Sequence, residues 1–245
     1  MKTLAIFTLA LFLLAVTDLA AAEKFQADTI STKGGPLVIT FLGHASLYFT
    51  FQGQVIHVDP TSREADYSAL PKADLALVTH EHGDHLDPEA LAKVRKEGTT
   101  VLVSRSCAGQ VEGAKAIQNG ETRQELGLTI EAVPAYNLVH LRDNGRPFHA
   151  KGDGNGYVLA FGDKRVYVAG DTENTPEMKQ LKNIDIAFLP MNLPYTMTPE
   201  MVAEAALAFR PKVLYPYHFG STDVGLLQAL LKDTKDIEVR VRQMK

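Results

Sequence analysis

The sequence predicts an α/β fold in which two β-sheets are packed together and helices lie outside them. Short apolar runs of strand length recur along the chain, and two segments begin with residues that start helices. The elements come in the order of several strands, a helix, more strands and then strands alternating with helices, which favours two sheets. The chain has 245 residues, 45% hydrophobic and 22% charged, and this suits one domain of the larger kind or two small ones.

The first half of the chain predicts five strands and one helix. Residues 74–79 form a compact apolar run, which is typical of a strand buried on both faces. The helix is predicted from Asp87 to about Glu97, because Asp87 can cap its N-terminus, Pro88 suits its first position and Gly98 ends it. The five predicted strands are Leu37–Leu42, Ser46–Phe51, Gln54–Val58, Asp74–Thr79 and Thr99–Ser104.

The second half predicts six further strands and two helices. One helix begins at Thr198-Pro199-Glu200 and ends near Phe209, and the other covers Val224–Leu231. Residues 137–156 form the longest irregular segment, and loops of this length inside compact domains are usually functional or disordered. The six predicted strands are Leu128–Pro134, Tyr157–Phe161, Arg165–Ala169, Ile184–Leu189, Val213–Tyr217 and Ile237–Val241.

The N-terminus predicts a secretory signal peptide. Lys2 precedes fifteen uncharged residues rich in Leu, Ala and Phe, and Ala20-Ala21-Ala22 suits cleavage. This apolar stretch is short for a membrane span, which needs roughly 20 residues, although a retained N-terminal anchor is the alternative. We therefore expect residues 1–22 to be removed, which leaves residues 23–245 as a single domain in the periplasm or outside the cell.

Charge and cysteine content exclude several classes of protein and site. The formal net charge is −4, so no electrostatic field draws the chain onto nucleic acid. Cys107 is the single cysteine, which excludes an intrachain disulfide and a cysteine-based zinc site. No later segment is long and apolar enough to cross a bilayer, so we expect no stable membrane span after signal cleavage.

The strongest functional signal is the segment Thr79-His80-Glu81-His82-Gly83-Asp84-His85. It follows a predicted buried strand and precedes a predicted helix, and alternate residues in such a turn can converge. Imidazole nitrogens suit Zn²⁺ and neighbouring first-row ions, and a carboxylate adds negative charge. Four potential ligands within six residues are enough for parts of two metal sites.

This segment resembles the signature of the metallo-β-lactamase superfamily. Further segments resemble that superfamily in the same order, and the upstream pair resembles the branch of ascorbate-phosphate lactonase-like and N-acyl-phosphatidylethanolamine phospholipase D-like hydrolases. The resemblance covers essentially all of the mature chain and implies a four-layer αββα sandwich with two mixed β-sheets and helices outside. The segments are Leu42-Gly43-His44, His57-Val58-Asp59-Pro60, Val168-Ala169-Gly170-Asp171-Thr172 and Tyr215-Pro216-Tyr217-His218.

The resemblance also implies a set of metal ligands. His80 and His82 would bind one ion, Asp84 and His85 a second, and Asp171 would bridge the two. His218 would complete the second site. This agrees with the sequence pattern, because the apolar runs place His80, Asp171 and His218 at the carboxyl ends of predicted strands, where sites of α/β proteins cluster.

The third histidine of the first site is missing from its usual place in the superfamily. After the strand that ends near Pro134 the chain reads Ala135-Tyr136-Asn137, without a histidine. The candidates are His149 and His140. We favour His149, because the glycines around it allow the loop to turn sharply and approach the metals.

Five further side chains are candidates for weaker roles at the site. Asp59 ends a strand and could orient a metal-bound histidine, or it could simply cap that strand. His44 could line the pocket or be a structural histidine. Tyr136, Asn137 and Tyr195 are candidate substrate contacts on nearby loops, although an aromatic residue there could equally be packing.

Together these observations predict an exported metal-dependent hydrolase. The resemblance implies two divalent ions, with Zn²⁺ preferred over Mn²⁺ or Fe²⁺. It also implies a metal-bridging hydroxide that attacks an ester, lactone or phosphodiester of a small molecule. Asp84 would act as a catalytic residue by orienting the water or taking its proton. The alternative is a non-catalytic metal-binding or sensing protein that keeps the fold, for which the displaced histidine is the only hint.

Overall fold

Two mixed β-sheets of seven strands each form the centre of the protein. The computed structural model describes residues 25–245, so the predicted signal peptide at residues 1–22 lies outside the described residues. The first sheet contains β1 (Ala27–Thr32), β2 (Gly35–Gly43), β3 (Ser46–Phe51), β4 (Gln54–Val58), β5 (Leu75–Val78), β6 (Thr100–Val103) and β7 (Lys115–Ala116). The second contains β8 (Thr122–Glu125), β9 (Leu128–Ala135), β10 (Gly154–Phe161), β11 (Lys164–Val168), β12 (Ile186–Pro190), β13 (Val213–Tyr217) and β14 (Glu238–Val239).

The helices between these strands are short. They are α1 (Pro88–Val94), α2 (Pro176–Lys179), α3 (Pro199–Phe209) and α4 (Val224–Leu231). The predicted cap of α1 is present, since the Asp87 carboxylate accepts hydrogen bonds from the backbone N–H groups of Glu89 and Ala90. No helix in the described part of the chain has both the length and the apolar character needed to cross a bilayer.

Both sheets have the same internal plan. In each, the strands lie side by side in chain order, and the first four pair antiparallel. The remaining strands, from β4 to β7 and from β11 to β14, pair in parallel. The carboxyl ends of β2, β4 and β5 therefore lie at one end of the first sheet, as those of β11 and β13 do in the second.

The main hydrophobic core lies between the two sheets. Phe41 and Phe49 of the first sheet contact Phe188 and Phe161 of the second, with ring centroids 6.2 Å and 5.2 Å apart. On the outer face of the first sheet, Val78 packs in a separate cluster that includes Leu91 of α1. Alternate strand residues point to opposite faces, so β5 is buried on both sides as its apolar run predicts.

The outer face of the second sheet is covered by α3 and α4. Tyr167 of β11 meets Phe209 of α3 edge to face at 6.1 Å, and Leu227 of α4 joins the same core. The order of layers is thus helix, sheet, sheet, helix. The predicted four-layer α/β sandwich is confirmed.

Several short or edge elements were not predicted by the sequence. Residues 27–32 read as polar, yet they form β1, which pairs antiparallel with β2 at the edge of its sheet. An edge strand with alternating exposed and half-buried side chains lacks the apolar run that marks the inner strands. The two-residue strand β7 and the polar strand β8, also at sheet edges, were missed for the same reason. The four-residue helix α2 was not predicted either, although Thr175-Pro176-Glu177 begins it.

The predicted end of α1 was also wrong. The helix ends at Val94 instead of Glu97, because Arg95 already has an extended conformation with ψ of 147°. All of the predicted strands are present. Three have the predicted bounds, and the ends of the others move by up to three residues. Cys107 is free and buried, as a small hydrophobic residue would be.

Candidate metal centre

Histidine and aspartate side chains from both sheets converge at the carboxyl ends of the strands. His80, His82, Asp84 and His85 follow β5 within the loop that leads to α1. Asp171 and His218 follow β11 and β13 of the other sheet, as the apolar runs predicted. The sheets pack face to face, so these loops meet at one edge of the sandwich.

The first cluster consists of His80, His82 and His149. The Nδ1 atom of His82 lies 3.2 Å from Nε2 of His80 and 3.2 Å from Nε2 of His149. His80 and His149 are buried, and His82 is half-buried. Three imidazole nitrogens therefore face one another at a spacing that a single ion could occupy.

The second cluster consists of Asp84, His85, His218 and His44. The Oδ2 atom of Asp84 lies 3.3 Å from Nε2 of His44, 3.6 Å from Nε2 of His218 and 4.0 Å from Nε2 of His85. The rings of His44 and His218 contact each other at a tilt of 40°, with centroids 3.8 Å apart. The structure thus places His44, which the sequence left as a pocket or structural residue, among the potential ligands.

Asp171 lies between the two clusters. Its Oδ2 atom is 3.4 Å from Nε2 of His149 and 3.5 Å from Nε2 of His218, while its Oδ1 atom is 3.4 Å from Nε2 of His85. The preceding Gly170 has a φ of +66°, and a Cβ there would lie 2.7 Å from the carbonyl oxygen of Asn155. Glycine is therefore required for the sharp turn that brings the Asp171 carboxylate to the centre.

The proton positions of the first cluster fit a metal ion. His149 Nδ1 donates to Oδ1 of Asn137 at 2.8 Å, so the proton of a neutral ring is on the side away from the cluster. His80 Nδ1 lies 3.1 Å from Oγ1 of Thr79, and that hydroxyl itself donates to Asp59. The Nε2 atoms of His80 and His149 therefore carry no proton. Their lone pairs point into the same space, where both can bind a cation.

The second cluster carries the same signature of unsatisfied groups. Within residues 25–245, His85 Nε2, Asp171 Oδ1 and both ring nitrogens of His218 are buried without a hydrogen-bond partner. Buried polar atoms in proteins almost always have a hydrogen-bond partner, so several unpartnered atoms that face one another indicate a bound group between them. Imidazole and carboxylate donors are those that Zn²⁺ and related ions prefer.

Asp59 organises the loop that carries four of these side chains. Its buried carboxylate accepts from the backbone N–H of Thr79 at 2.8 Å, from the Thr79 hydroxyl at 2.7 Å and from Nδ1 of His85 at 2.8 Å. The last contact holds the proton of His85 on Nδ1 and leaves Nε2 free to face Asp84 and Asp171. Asp59 therefore has the orienting geometry that its position after a strand suggested, and Thr79 does the same for His80.

Asn137 holds His149 and does not contact the cavity. Its Oδ1 accepts from the backbone N–H of His149 at 2.8 Å as well as from the ring. Its Nδ2 donates to Oε1 of Glu173 at 3.2 Å and to the carbonyl oxygen of Tyr195 at 2.8 Å. Among the alternatives left open by the sequence, this is an orienting role and not a substrate contact.

Glu173 is a buried residue that the sequence analysis missed. Its carboxylate accepts from the backbone N–H groups of Leu138, Val139 and His140 at 2.7–2.8 Å, and from Nδ1 of His140 at 2.7 Å. It follows Asp171 by two positions, so one turn supplies both the central carboxylate and the anchor of the neighbouring loop. This contact holds the His140 ring against Glu173, and it is His149 that lies in the first cluster.

Three residues at the centre have a backbone conformation that is uncommon for non-glycine residues. His44, Asp59 and His218 have φ values of 49°, 44° and 47°. Such conformations persist where the surrounding structure holds them, and they concentrate at functional sites. Here each lies directly after a strand and turns its side chain towards the cluster.

The electrostatics keep the carboxylates of Asp84 and Asp171 ionised and the rings of His80 and His149 neutral. Burial opposes ionisation of Asp171, but the charges of His218 and His85 outweigh it and hold its pKa well below the usual range. The pKa of Asp84 is lowered in the same way, against burial, by the nearby rings of His218 and His44. Burial lowers the pKa of His149 to about 4 and that of His80 well below its usual value.

His85 is the exception. Burial lowers its pKa, but the nearby carboxylates of Asp171 and Asp59 reverse this and raise the pKa of His85 to about 9. Without a metal ion it is therefore protonated at neutral pH. A cation would replace that proton between the same carboxylates.

A cavity of about 330 Å³ opens above the two clusters. Tyr195 lines it, as predicted for a substrate contact, together with Arg142 and Asn192, which the sequence analysis did not single out. Tyr136 does not line it, which corrects the prediction of a substrate contact. Its hydroxyl donates to Oε2 of Glu177 at 3.0 Å, because the chain turns that side chain towards α2.

Residues 38–218 match the family model of the β-lactamase superfamily domain. The chain belongs to the metallo-β-lactamase superfamily. Within it, the chain is 34% identical over 200 residues to a UPF0173 metal-dependent hydrolase of Methanopyrus kandleri, covering 75% of this chain and 84% of that protein. This level of similarity places it in the UPF0173 family of metal-dependent hydrolases.

Solved structures of superfamily members agree with this assignment. A protein from Parabacteroides distasonis assigned as a metal-dependent hydrolase is 49% identical, with a TM-score of 0.86 over 90% of this chain and all of that chain. Igni18, a metallo hydrolase from Ignicoccus hospitalis, is 25% identical, with a TM-score of 0.68 over 85% of this chain and 95% of its own. The superfamily resemblance predicted from the motifs is thereby confirmed.

Proposed function

We propose that this superfamily member is an exported hydrolase that holds two divalent metal ions, preferentially Zn²⁺, and cleaves an ester, lactone or phosphodiester of a small molecule. The observation that supports two ions is the pair of clusters that share one carboxylate, Asp171. A single tetrahedral ion uses four ligands, whereas the centre offers eight side chains. They are His44, His80, His82, Asp84, His85, His149, Asp171 and His218.

The first ion would be held by His80, His82 and His149, and the second by Asp84, His85 and His218, with His44 as an additional donor beside Asp84. Asp171 would reach both. When bound, divalent metal supplies Lewis acidity, which makes water a nucleophile at neutral pH and polarises the bond to be cleaved. The side chains of the protein supply the positions and the proton acceptor.

Asp84 is the residue best placed to accept a proton. Its side chain is one-third exposed and lines the cavity, whereas Asp171 is buried. The surrounding histidine rings lower its pKa and keep it ionised. A carboxylate held open to the cavity can orient an attacking water and take its proton, and Asn192 and Tyr195 can contact the substrate opposite it.

The non-catalytic alternative has lost the observation that favoured it. Its only hint was the missing third histidine, and the position of His149 beside His80 and His82 supports His149 as that ligand. Export is supported by the sequence of residues 1–22 alone. N-terminal sequencing of the protein from its native host tests export, since an intact Met1 would contradict it.

Metal analysis of the purified full chain, combined with turnover assays on ester, lactone and phosphodiester panels, tests the proposal. We expect close to two ions per chain after reloading with Zn²⁺, and turnover that is lost in Asp84→Asn. Asp233→Asn is the matched control, because Asp233 is an exposed carboxylate remote from the centre. A limit of one ion at saturation, or two ions without turnover of any panel, would contradict the dinuclear or the hydrolytic part respectively.

A further inference from the structure

We propose that the substrate is an anionic amphiphile, a small molecule whose negative group is bound by Arg142 and whose apolar chain lies across the mouth of the cavity. The inference rests on the proposed function for the bond that is cleaved, and it adds the class of substrate. It follows from the apolar rim of the cavity, from the charge of Arg142 and from the size of the cavity.

Exposed apolar side chains are concentrated on the two loops that carry the cavity-lining residues Arg142 and Asn192. We call these exposed side chains the rim. In the described residues, five of the eight large apolar side chains with high exposure belong to it. Their exposed fractions range from 45% to 66%, and the other three lie on α3 and α4. Exposed apolar patches of this kind are typical of binding sites. The rim consists of Leu138, Val139, Leu141, Leu193 and Tyr195.

The two loops of the rim are joined and held in place. Asn137 donates to the carbonyl oxygen of Tyr195 at 2.8 Å, and the rings of Phe148 and Tyr195 meet edge to face at 5.1 Å. The buried Glu173 carboxylate holds the backbone N–H groups of Leu138 and Val139. Because their backbone is fixed, these side chains remain exposed instead of collapsing into the core.

Arg142 provides the charge. It lines the cavity, with its guanidinium 4.9 Å from the centroid of the Phe148 ring and Nη2 donating to the carbonyl oxygen of Phe148 at 3.3 Å. No carboxylate within residues 25–245 forms an ion pair with it. It is the one Lys or Arg among the described residues lining the cavity. A guanidinium placed in this way binds a carboxylate or phosphate oxygen.

The size of the cavity explains why the chain of the ligand would reach the rim. At about 330 Å³ it lies at the lower end of the range for small-molecule sites. It has room for the reacting group and the anionic group, so a longer chain must leave through the mouth and meet the rim. A net charge of −4 and a single lining cation do not favour adhesion to an anionic membrane, so we commit to a monomeric amphiphile and not a bilayer.

Calorimetric titration of the Zn²⁺-loaded full chain with methyl, butyl and octyl phosphate, below their micelle concentrations, tests the inference. A fully buried methylene improves affinity about fourfold, so a methylene half-buried on the rim should improve it about twofold. We expect octyl phosphate to bind about tenfold or more tightly than butyl phosphate. Direct coordination of phosphate by metal is common to the series and does not depend on chain length.

Variants separate the rim from the charge. Arg142→Gln should weaken octyl phosphate about tenfold and leave 1-octanol unchanged, whereas Arg146→Gln, an exposed cation on the same loop, should change neither. A Val139→Ser, Leu141→Ser double variant should abolish the dependence on chain length. The matched apolar control is Leu207→Ser on α3. Thermal melting checks that each variant is folded.

Several outcomes would overturn the inference. They are affinity that does not depend on chain length in the wild-type protein, equal effects of Arg142→Gln and Arg146→Gln, and sedimentation with phosphatidylglycerol vesicles without binding of monomeric octyl phosphate. A dimer that the rim variants dissociate would identify the rim as a contact between two copies. Hydrolysis of short neutral esters alone would contradict this inference and leave the proposed function standing. Tight binding of octyl phosphate without turnover of any panel would contradict the proposed function and leave this inference standing.

Discussion

Replacing Asp59 by Asn should weaken one metal site and spare the other. The substitution keeps the shape of a fully buried side chain but replaces one acceptor oxygen by an NH₂ donor. With its oxygen still accepting from the backbone N–H of Thr79, the new amide faces Nδ1 of His85, 2.8 Å away in the wild-type protein. Two donors cannot share that contact, so the His85 proton moves to Nε2.

That shift removes the lone pair that faces Asp84 and Asp171. Loss of such an orienting partner costs about 10- to 100-fold in metal affinity, and about 1.4 kcal/mol accompanies each tenfold step. His80 is oriented by the Thr79 hydroxyl, which can still accept from its ring. We therefore expect affinity for the second ion to fall by that factor while the first ion is bound nearly as in the wild-type protein.

Titration with a competing chelator measures both affinities. ¹⁵N NMR of the metal-free protein, recorded above the pKa of about 9 where the His85 ring is neutral, reports its tautomer. Asp185→Asn is the control, because Asp185 is a buried carboxylate that accepts from the backbone N–H of Arg165 and from Lys212, away from the centre. It should lower stability without changing metal affinity. Wild-type affinity for both ions in Asp59→Asn, or an equal loss of both, would refute this account of the site.

Four other outcomes are expected. His149→Ala should lose the first ion and activity together, while His140→Ala keeps both ions, as metal analysis of the two variants will show; the reverse pattern would exchange their assignments. Affinity for the second ion should rise with pH up to about 9, because the metal must displace the proton of His85, and a flat profile from pH 6.5 to 9 would contradict this. Removing the metals should lower the Tm by several degrees in calorimetry, since ions that bind only the folded state stabilise it; an unchanged Tm would mean that the ions contribute no binding energy to the fold. Burial lowers the pKa of His57 to about 4, against an unfolded value of 6.5, so the stability that depends on the neutral ring is lost as the pH falls from 6.5 to about 4. In urea unfolding over this pH range, the free energy of unfolding of the wild-type protein should fall by about 3 kcal/mol relative to that of His57→Gln. Parallel pH profiles of the two proteins would contradict this.

Local patterns in the sequence were enough for the framework of the fold and for most of the candidate ligands. Strands such as β5 and β12 are buried on both faces, so their apolar runs are visible without any knowledge of their neighbours. The cluster from His80 to His85 is equally local, because all four side chains follow one strand. The short edge strands β1 and β7 carry no such run, since exposed side chains at an edge are not selected by burial.

The tertiary structure alone decided which distant side chains complete the centre. His140 and His149 lie on the same loop, and their roles differ because Glu173, two positions after Asp171, holds the first of them at a distance. The hydrogen bonds between Asn137 and His149 have no local sequence pattern either. A hydrogen bond between residues far apart in the chain depends on the path of the loop, and that path is set by contacts between the two sheets that no single segment contains.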